Sequence, residues 1–244
     1  MSGKIIKVFD AVDSLMGTFA EELFYFSAKS PDRANIALSG GSTPKALFKE
    51  LSLPANLDKI HWAVFNFFWG DERLVSYENP ESNYGEANRI LLSNIRDTRQ
   101  GIYPVPVAST PKEAALLYEV KIREIVKSVN NGIPVFDWII LGIGADGHTA
   151  SIFPGAKWNE EENPLTFVAK HPLNGQKRIS FTYNLINQAQ RVTFLVTGKE
   201  KAQVIEQILS HKPEAENYPA AKVLPEHGIV EWYLDSEAAG LLKL

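Results

Sequence analysis

The chain has 244 residues, 45% of them hydrophobic and 22% charged, with a formal net charge of −4. That size is expected to form one compact domain over residues 1–244, and the acidic balance lacks the basic excess that draws a protein to nucleic acid or anionic membrane. There is no cysteine, which excludes disulfides, thiolate metal ligands and cysteine nucleophiles together. A small-molecule partner is expected, and any phosphate on it would need a local cluster of Arg, Lys and backbone N–H groups.

The start, MSGKIIKVFDAVD, carries charges at Lys4, Lys7 and Asp10 and does not read as a secretory signal, so a cytoplasmic location is expected. Lys4–Phe9 and Ala34–Leu38 read as strands around an amphipathic helix at Ala11–Lys29. A further helix is expected at Lys45–Leu51, and His61–Phe68 is an aromatic, β-branched strand candidate. Helical spacing of apolar residues returns in Ser82–Asn94 and Lys112–Val129, while Val135–Ile143 has the continuous apolar character of a buried parallel strand. The stretch Trp138–Ala145 is far too short to span a bilayer, and no membrane partner is expected. The segment Gly155–Gly175, with Pro154, Pro164 and Pro172 in or beside it, reads as a loop. Strands are expected at Ile179–Tyr183, Arg191–Val196 and Ile229–Leu234, with helices at Lys199–Leu209 and Ser236–Leu242. Alternation of this kind predicts an α/β fold: a doubly wound, mostly parallel sheet with helices on both faces and ligands beyond the carboxyl ends of the strands.

Three motifs fall at such strand ends. Ser39-Gly40-Gly41-Ser42-Thr43-Pro44 joins a strand to a helix; its glycines let backbone approach an anion, Ser42 or Thr43 can cap the helix, and Pro44 suits the first turn. A tight, well-capped turn explains the same residues equally well. Trp69-Gly70-Asp71-Glu72-Arg73 places an arginine fork where it can hold a phosphate or a developing oxyanion, against the plainer reading of a surface ion pair. Gly142-Ile143-Gly144-Ala145-Asp146-Gly147-His148-Thr149-Ala150-Ser151 puts His148 behind three glycines at a strand end, where its imidazole can enter a cleft; Asp146 either orients it or caps a following helix. His61, His171, His211 and His227 show no ligand spacing, so no metal site is expected. Lys201 and Arg178 sit beside strand ends and, taken alone, are also ordinary solvated cations.

Taken in order, SGGSTP, WGDER, GIGADGHTASIFPG and TGKEK resemble the 6-phosphogluconolactonase family, with matches from about Ser39 to Lys201 and a family-like tail at Ile229–Leu242. The resemblance implies a doubly wound fold related to glucosamine-6-phosphate deaminase, hydrolysis of a phosphorylated sugar lactone, and no metal or organic cofactor. It also implies His148 as the acid–base residue, with Arg73 stabilising negative charge on the carbonyl oxygen or on the phosphate. Gly40, Gly41, Ser42 and Thr43 match the phosphate-approaching loop, and Lys201 and Arg178 match basic positions beside it. A deaminase or isomerase needs an acid–base carboxylate, for which Asp71 is a candidate, but deaminases resemble D-E-Y and D-G-H-I-A-F-N-E-P where this chain has D-E-R and D-G-H-T-A-S-I-F-P-G. A sugar-phosphate-sensing module of the same fold normally follows a DNA-binding segment, whereas the first strand here is expected at Lys4.

Overall fold

A computed structural model describes residues 4–30, 32–96, 101–158 and 164–243. Six parallel strands form the central sheet: β1 (Lys4–Phe9), β2 (Ala34–Leu38), β3 (Phe65–Trp69), β7 (Trp138–Leu141), β10 (Arg191–Val196) and β11 (Ile229–Asp235), in the order β1-β11-β10-β7-β2-β3. A smaller antiparallel sheet, ordered β4-β9-β8, joins β4 (Asp71–Arg73), β9 (Lys177–Phe181) and β8 (Thr166–Lys170), and β5 (Val129–Asn130) pairs with β6 (Ile133–Pro134) as a short hairpin.

The period-two pattern of each central strand divides its side chains between two cores. Trp138 and Ile140 point to one face, where they meet Leu15, Phe19 and Leu23 of α1 (Val12–Lys29) and Leu47 of α2 (Ser42–Leu51). Ile139 and Leu141 point to the other, with Phe194, Trp232, Tyr118 of α5 (Pro111–Ile125) and Ile205 of α7 (Ala202–Leu209). The short helices α3 (Pro54–Lys59), α4 (Asn83–Ile90) and α6 (Tyr183–Ile186) complete the layers. Among the described residues no helix is long and apolar enough to cross a membrane.

The doubly wound parallel sheet with helices on both faces is as the sequence predicts, and most elements fall where expected. Three regions differ. The segment Gly155–Gly175, read as loop, contains β8; the Leu165 N–H just before it donates to Glu119 Oε2 at 2.9 Å, and its Thr166 hydroxyl donates to the Ala115 carbonyl at 2.9 Å; positions 159–163 of that segment lie outside the described residues. The helix expected at Ser236–Leu242 is a run of turns: Asp235 accepts the Ala238 N–H at 2.8 Å at its start, but the following backbone bonds, Gly240 N–H to the Glu237 carbonyl and Leu242 N–H to the Ala239 carbonyl, span three residues rather than four. The strand expected from His61 opens instead with a 3-10 turn at Trp62–Val64.

One polar cluster crosses the α1 face. Glu22 accepts hydrogen bonds from Lys7, Tyr233 and Arg191, and Arg191 also reaches Glu231 and lies 3.8 Å from the Trp138 ring centroid. Burial works to raise the Glu22 pKa, but these three donors outweigh it and hold the carboxyl below its ordinary range. A folded pKa below the unfolded one gives stability that is present above the unfolded value and lost as pH falls through the folded one. Glu22→Gln should therefore cost about 2 kcal/mol at neutral pH, with the deficit shrinking in acid, as read from urea unfolding of both proteins across pH.

Candidate active site

Between β2 and β7 the chain's winding reverses, and at that point the loops leaving adjacent strands splay to form a crevice. The cleft there has a volume of about 210 Å³ and takes its walls from the ends of β2, β3, β7 and β10. The Ser39 hydroxyl donates to the Ile140 carbonyl at 2.7 Å and ties the two central strands together at its base.

From β2 the chain turns through Gly40 and Gly41 into α2. Gly41, with φ of 105°, is the N-cap, so neither Ser42 nor Thr43 caps the helix, as the sequence suggested; they occupy its first turn, and no side chain caps it. The N-terminal end of α2 thus lines the cleft with a positive dipole end and unclaimed backbone donors. The Thr43 and Thr197 hydroxyls lie 2.7 Å apart and brace this turn against the end of β10. Gly40 is required by packing: a Cβ there would stand 1.8 Å from Asn83 Oδ1.

After β3, Gly70 leads into β4. Glu72, 2% exposed, accepts from the N–H groups of Arg73, Asn83 and Tyr84 and from the Ser82 hydroxyl. Burial raises its pKa against those bonds, and its place at the start of α4 makes it an anchor for that helix. Asp71 accepts the Ser151 hydroxyl at 2.6 Å and the Asn83 amide at 3.4 Å. Arg73 and Arg178 face each other across β4 and β9, and both line the cleft. Arg73 donates to the Glu81 carbonyl at 2.6 Å, while its buried Nε has no partner among the described residues. Arg178, 9% exposed, reaches Gln176 and the Ser151 hydroxyl; burial first, and the Arg73 charge after it, lower its pKa. Two like charges set together in this way favour an anion between them.

From β7, the run Gly142–Ser151 carries His148. Asp146 Oδ1 receives both the His148 N–H at 3.2 Å and the imidazole Nδ1 at 2.6 Å. No helix follows for Asp146 to cap, and its carboxylate instead bonds the backbone and the ring of His148. The hydrogen bond to His148 is the main reason that its carboxyl titrates below the ordinary range. With Nδ1–H assigned to the carboxylate, the neutral imidazole keeps its lone pair on Nε2. A Cβ on Gly144 would lie 2.1 Å from His148 Nδ1, so the ring fits only over a glycine.

Lys201 lines the cleft from the start of α7, its ammonium 3.5 Å from Glu200. The structure thus brings His148, Arg73, Arg178, Lys201 and Gly40 to Thr43 to one cleft, with Asp146 behind His148. The sequence reading assigned no role to Asn83, Ser151, Thr197 or Gly144. Phe153 was passed over too: its ring stands 4.8 Å from His148, 5.1 Å from His171 and 5.7 Å from the Arg178 guanidinium. Only the position of Ser151 in the histidine motif, and of Asn83 shortly after Arg73, hinted at them. Among the described residues no three His, Asp or Glu side chains gather as metal ligands.

Fold and cleft together define a doubly wound α/β protein with a carboxylate-paired histidine beside a wall of cationic side chains and a helix N-terminus. The family described as glucosamine-6-phosphate isomerases/6-phosphogluconolactonase matches residues 10–232. The chain belongs to that family. It is 43% identical to 6-phosphogluconolactonase of Haemophilus influenzae over 95% of each chain, and 45% identical to that of Aggregatibacter actinomycetemcomitans over 86% of this chain and 88% of the relative. The crystal structure of the devB protein superposes with a TM-score of 0.91 at 42% identity, covering 98% of this chain and 99% of that one. A monomeric glucosamine-6-phosphate deaminase shares the fold, at a TM-score of 0.82 and 20% identity over 98% of this chain and all (100%) of the other.

Gly144→Ala should leave the fold intact and displace the imidazole, lowering kcat by about 10²-fold. Circular dichroism and a crystal structure of the variant, set against its kinetics, check this.

Proposed function

We propose that the chain hydrolyses 6-phospho-D-glucono-1,5-lactone to 6-phospho-D-gluconate, a step of the pentose phosphate pathway. The observation that carries the reading is the Asp146–His148 pair opening on the same cleft as the N-terminus of α2 and three cationic side chains. The names of the relatives support the choice of substrate. The deaminase alternative loses support because Asp71, its required acid–base group, is buried and engaged by Ser151 and Asn83.

The substrate's phosphate is held by backbone at Gly40, Gly41, Ser42 and Thr43 with Lys201 and Arg178, which fixes the far end of the sugar. His148 Nε2 takes a proton from water as the water oxygen attacks the lactone carbonyl carbon. Arg73, which lines the cleft, stabilises the oxyanion. The tetrahedral intermediate collapses by breaking the bond from the carbonyl carbon to the ring oxygen, which receives the proton from the imidazolium; the new carboxylic acid then ionises. No metal enters this scheme, since the site's carboxylates are already bound to His148 and to Ser151, and we place the enzyme in the cytoplasm on its cysteine-free composition.

The test is direct assay on fresh 6-phosphogluconolactone, corrected for spontaneous opening and repeated with glucono-δ-lactone and after EDTA. The phosphorylated lactone should be preferred chiefly through KM, and activity should survive chelation; equal specificity constants would remove the phosphate site. His148→Ala should lose about 10²–10⁴ in kcat while keeping its fold and phosphate affinity. The wild-type rate should fall toward acid, because an imidazolium has no lone pair for water's proton. A folded variant with wild-type corrected turnover would assign the base to another group.

A further inference from the structure

Most of the groups that line the cleft are donors: Arg73, Arg178, Lys201 and the backbone of the first turn of α2. Of its oxygens, Ser39 Oγ, the Thr43 and Thr197 hydroxyls and Asp71 Oδ2 each already hold a hydrogen bond of 2.6 or 2.7 Å. Asn83, on the same wall and 3% exposed, differs from them. Its backbone N–H donates to Glu72 at 2.7 Å, and its Nδ2 donates to the Asp71 carbonyl at 2.9 Å and to Asp71 Oδ1 at 3.4 Å. Both Asp71 oxygens are acceptors, so the amide nitrogen must face them and the amide oxygen must turn the other way. That oxygen, Oδ1, accepts no hydrogen bond among the described residues and keeps surface open to the cleft. A fixed acceptor left without a donor in a buried residue is a cost that a ligand can remove.

The place of this oxygen says which part of a ligand it meets. It lies so close to Gly40 that a Cβ there would stand 1.8 Å away. On its other side the amide is tied through Asp71 to Ser151, three residues beyond His148. Asn83 therefore stands between the turn proposed to hold phosphate and the loop that carries the imidazole. A molecule spanning those two ends lays its middle atoms beside Oδ1.

What an acceptor takes from a ligand is a hydrogen. A phosphate dianion and a lactone carbonyl offer none, whereas a hydroxyl does. The acceptor is also neutral, as suits a cleft for an anion: a carboxylate at this position would set a second negative charge beside Asp71 and oppose the phosphate.

We propose that Asn83 is a specificity-determining residue: its Oδ1 accepts a hydrogen bond from a ring hydroxyl of the substrate, at C2, C3 or C4, and so selects hydroxylated phosphosugar lactones over their deoxy forms. The choice of substrate rests on the lactonase reading. Kinetics on 6-phosphogluconolactone and its 2-, 3- and 4-deoxy forms should show one deoxy form losing about 10–100-fold in kcat/KM with the wild-type protein. In Asn83→Leu, which keeps the size and removes the acceptor, that ratio should collapse to about one. A merely structural Asn83 would lower both substrates alike and leave the ratio unchanged. Should the variant fail to fold, wild-type protein labelled with 13C decides. The Asn83 side-chain carbonyl resonance should shift with 6-phosphogluconate and stay still with inorganic phosphate and with the corresponding deoxy acid. Equal use of all four lactones, an unchanged ratio in a folded variant, or a resonance that answers to phosphate as it does to 6-phosphogluconate would overturn the assignment. A protein that opens no lactone, yet binds 6-phosphogluconate more tightly than the deoxy acid and shifts that resonance, would remove the lactonase reading and leave Asn83 standing. One that binds none of these acids would remove both.

Discussion

The reversal of strand order between β2 and β7 is the constraint on which the rest depends. Parallel strands joined by right-handed crossovers send their loops to the same side for as long as the winding continues in one direction, and those loops then pack together. Where it reverses, neighbouring loops leave in opposite directions and cannot fill the space above the strand ends. Every element of the cleft occupies that gap. The glycine turn comes from β2, the histidine run from β7, the arginine strand from the continuation of β3, and Lys201 from the turn after β10.

Holding polar groups in this gap has an energetic cost that the structure offsets by linking them. Asn83, Asp71, Ser151 and Arg178 form one chain of hydrogen bonds, each member buried, so that the Asp71 carboxylate and the Ser151 hydroxyl are both partnered. Arg73 opposite Arg178 is the exception, since like charges across an antiparallel pair repel by about 0.2–1 kcal/mol. Burial sharpens that repulsion and lowers the Arg178 pKa. Negative charge beside either guanidinium eases the conflict.

Much of this was legible in the chain itself. Continuous apolar runs such as Trp138–Leu141 announce strands buried on both faces, and glycine at a strand end announces backbone meeting a ligand or a neighbour. What escaped was long-range. β8 was hidden because its short, prolyl-flanked segment draws its order from α5 and β9, partners distant in sequence. The tail after β11 has helical composition, but beyond its Asp235-capped start the backbone bonds span three residues and it stays a run of turns. Ser151 reads as one more small polar residue until the fold places Asp71 beside it, eighty positions earlier in the chain. Asp146 could be read two ways, and only the absence of a following helix together with the imidazole contact separates them.

The two ends of the site belong to neighbouring strands, and this bears on how binding becomes rate. Ile36 pairs with Trp138 and Ala37 with Ile139, so the exits of β2 and β7 are set by sheet spacing, about 4.8 Å between strands. Ser39 to the Ile140 carbonyl locks their ends. On one side the loop has no freedom at Gly40, which Asn83 fills; on the other, Gly144, Asp146 and Phe153 leave the imidazole little choice of place. In the proposed reaction, a phosphate gripped at the first end is held at a fixed reach from Nε2 without further ordering. The free energy of gripping a group that does not react is then available to align the carbonyl that does, as expected when remote binding serves positioning.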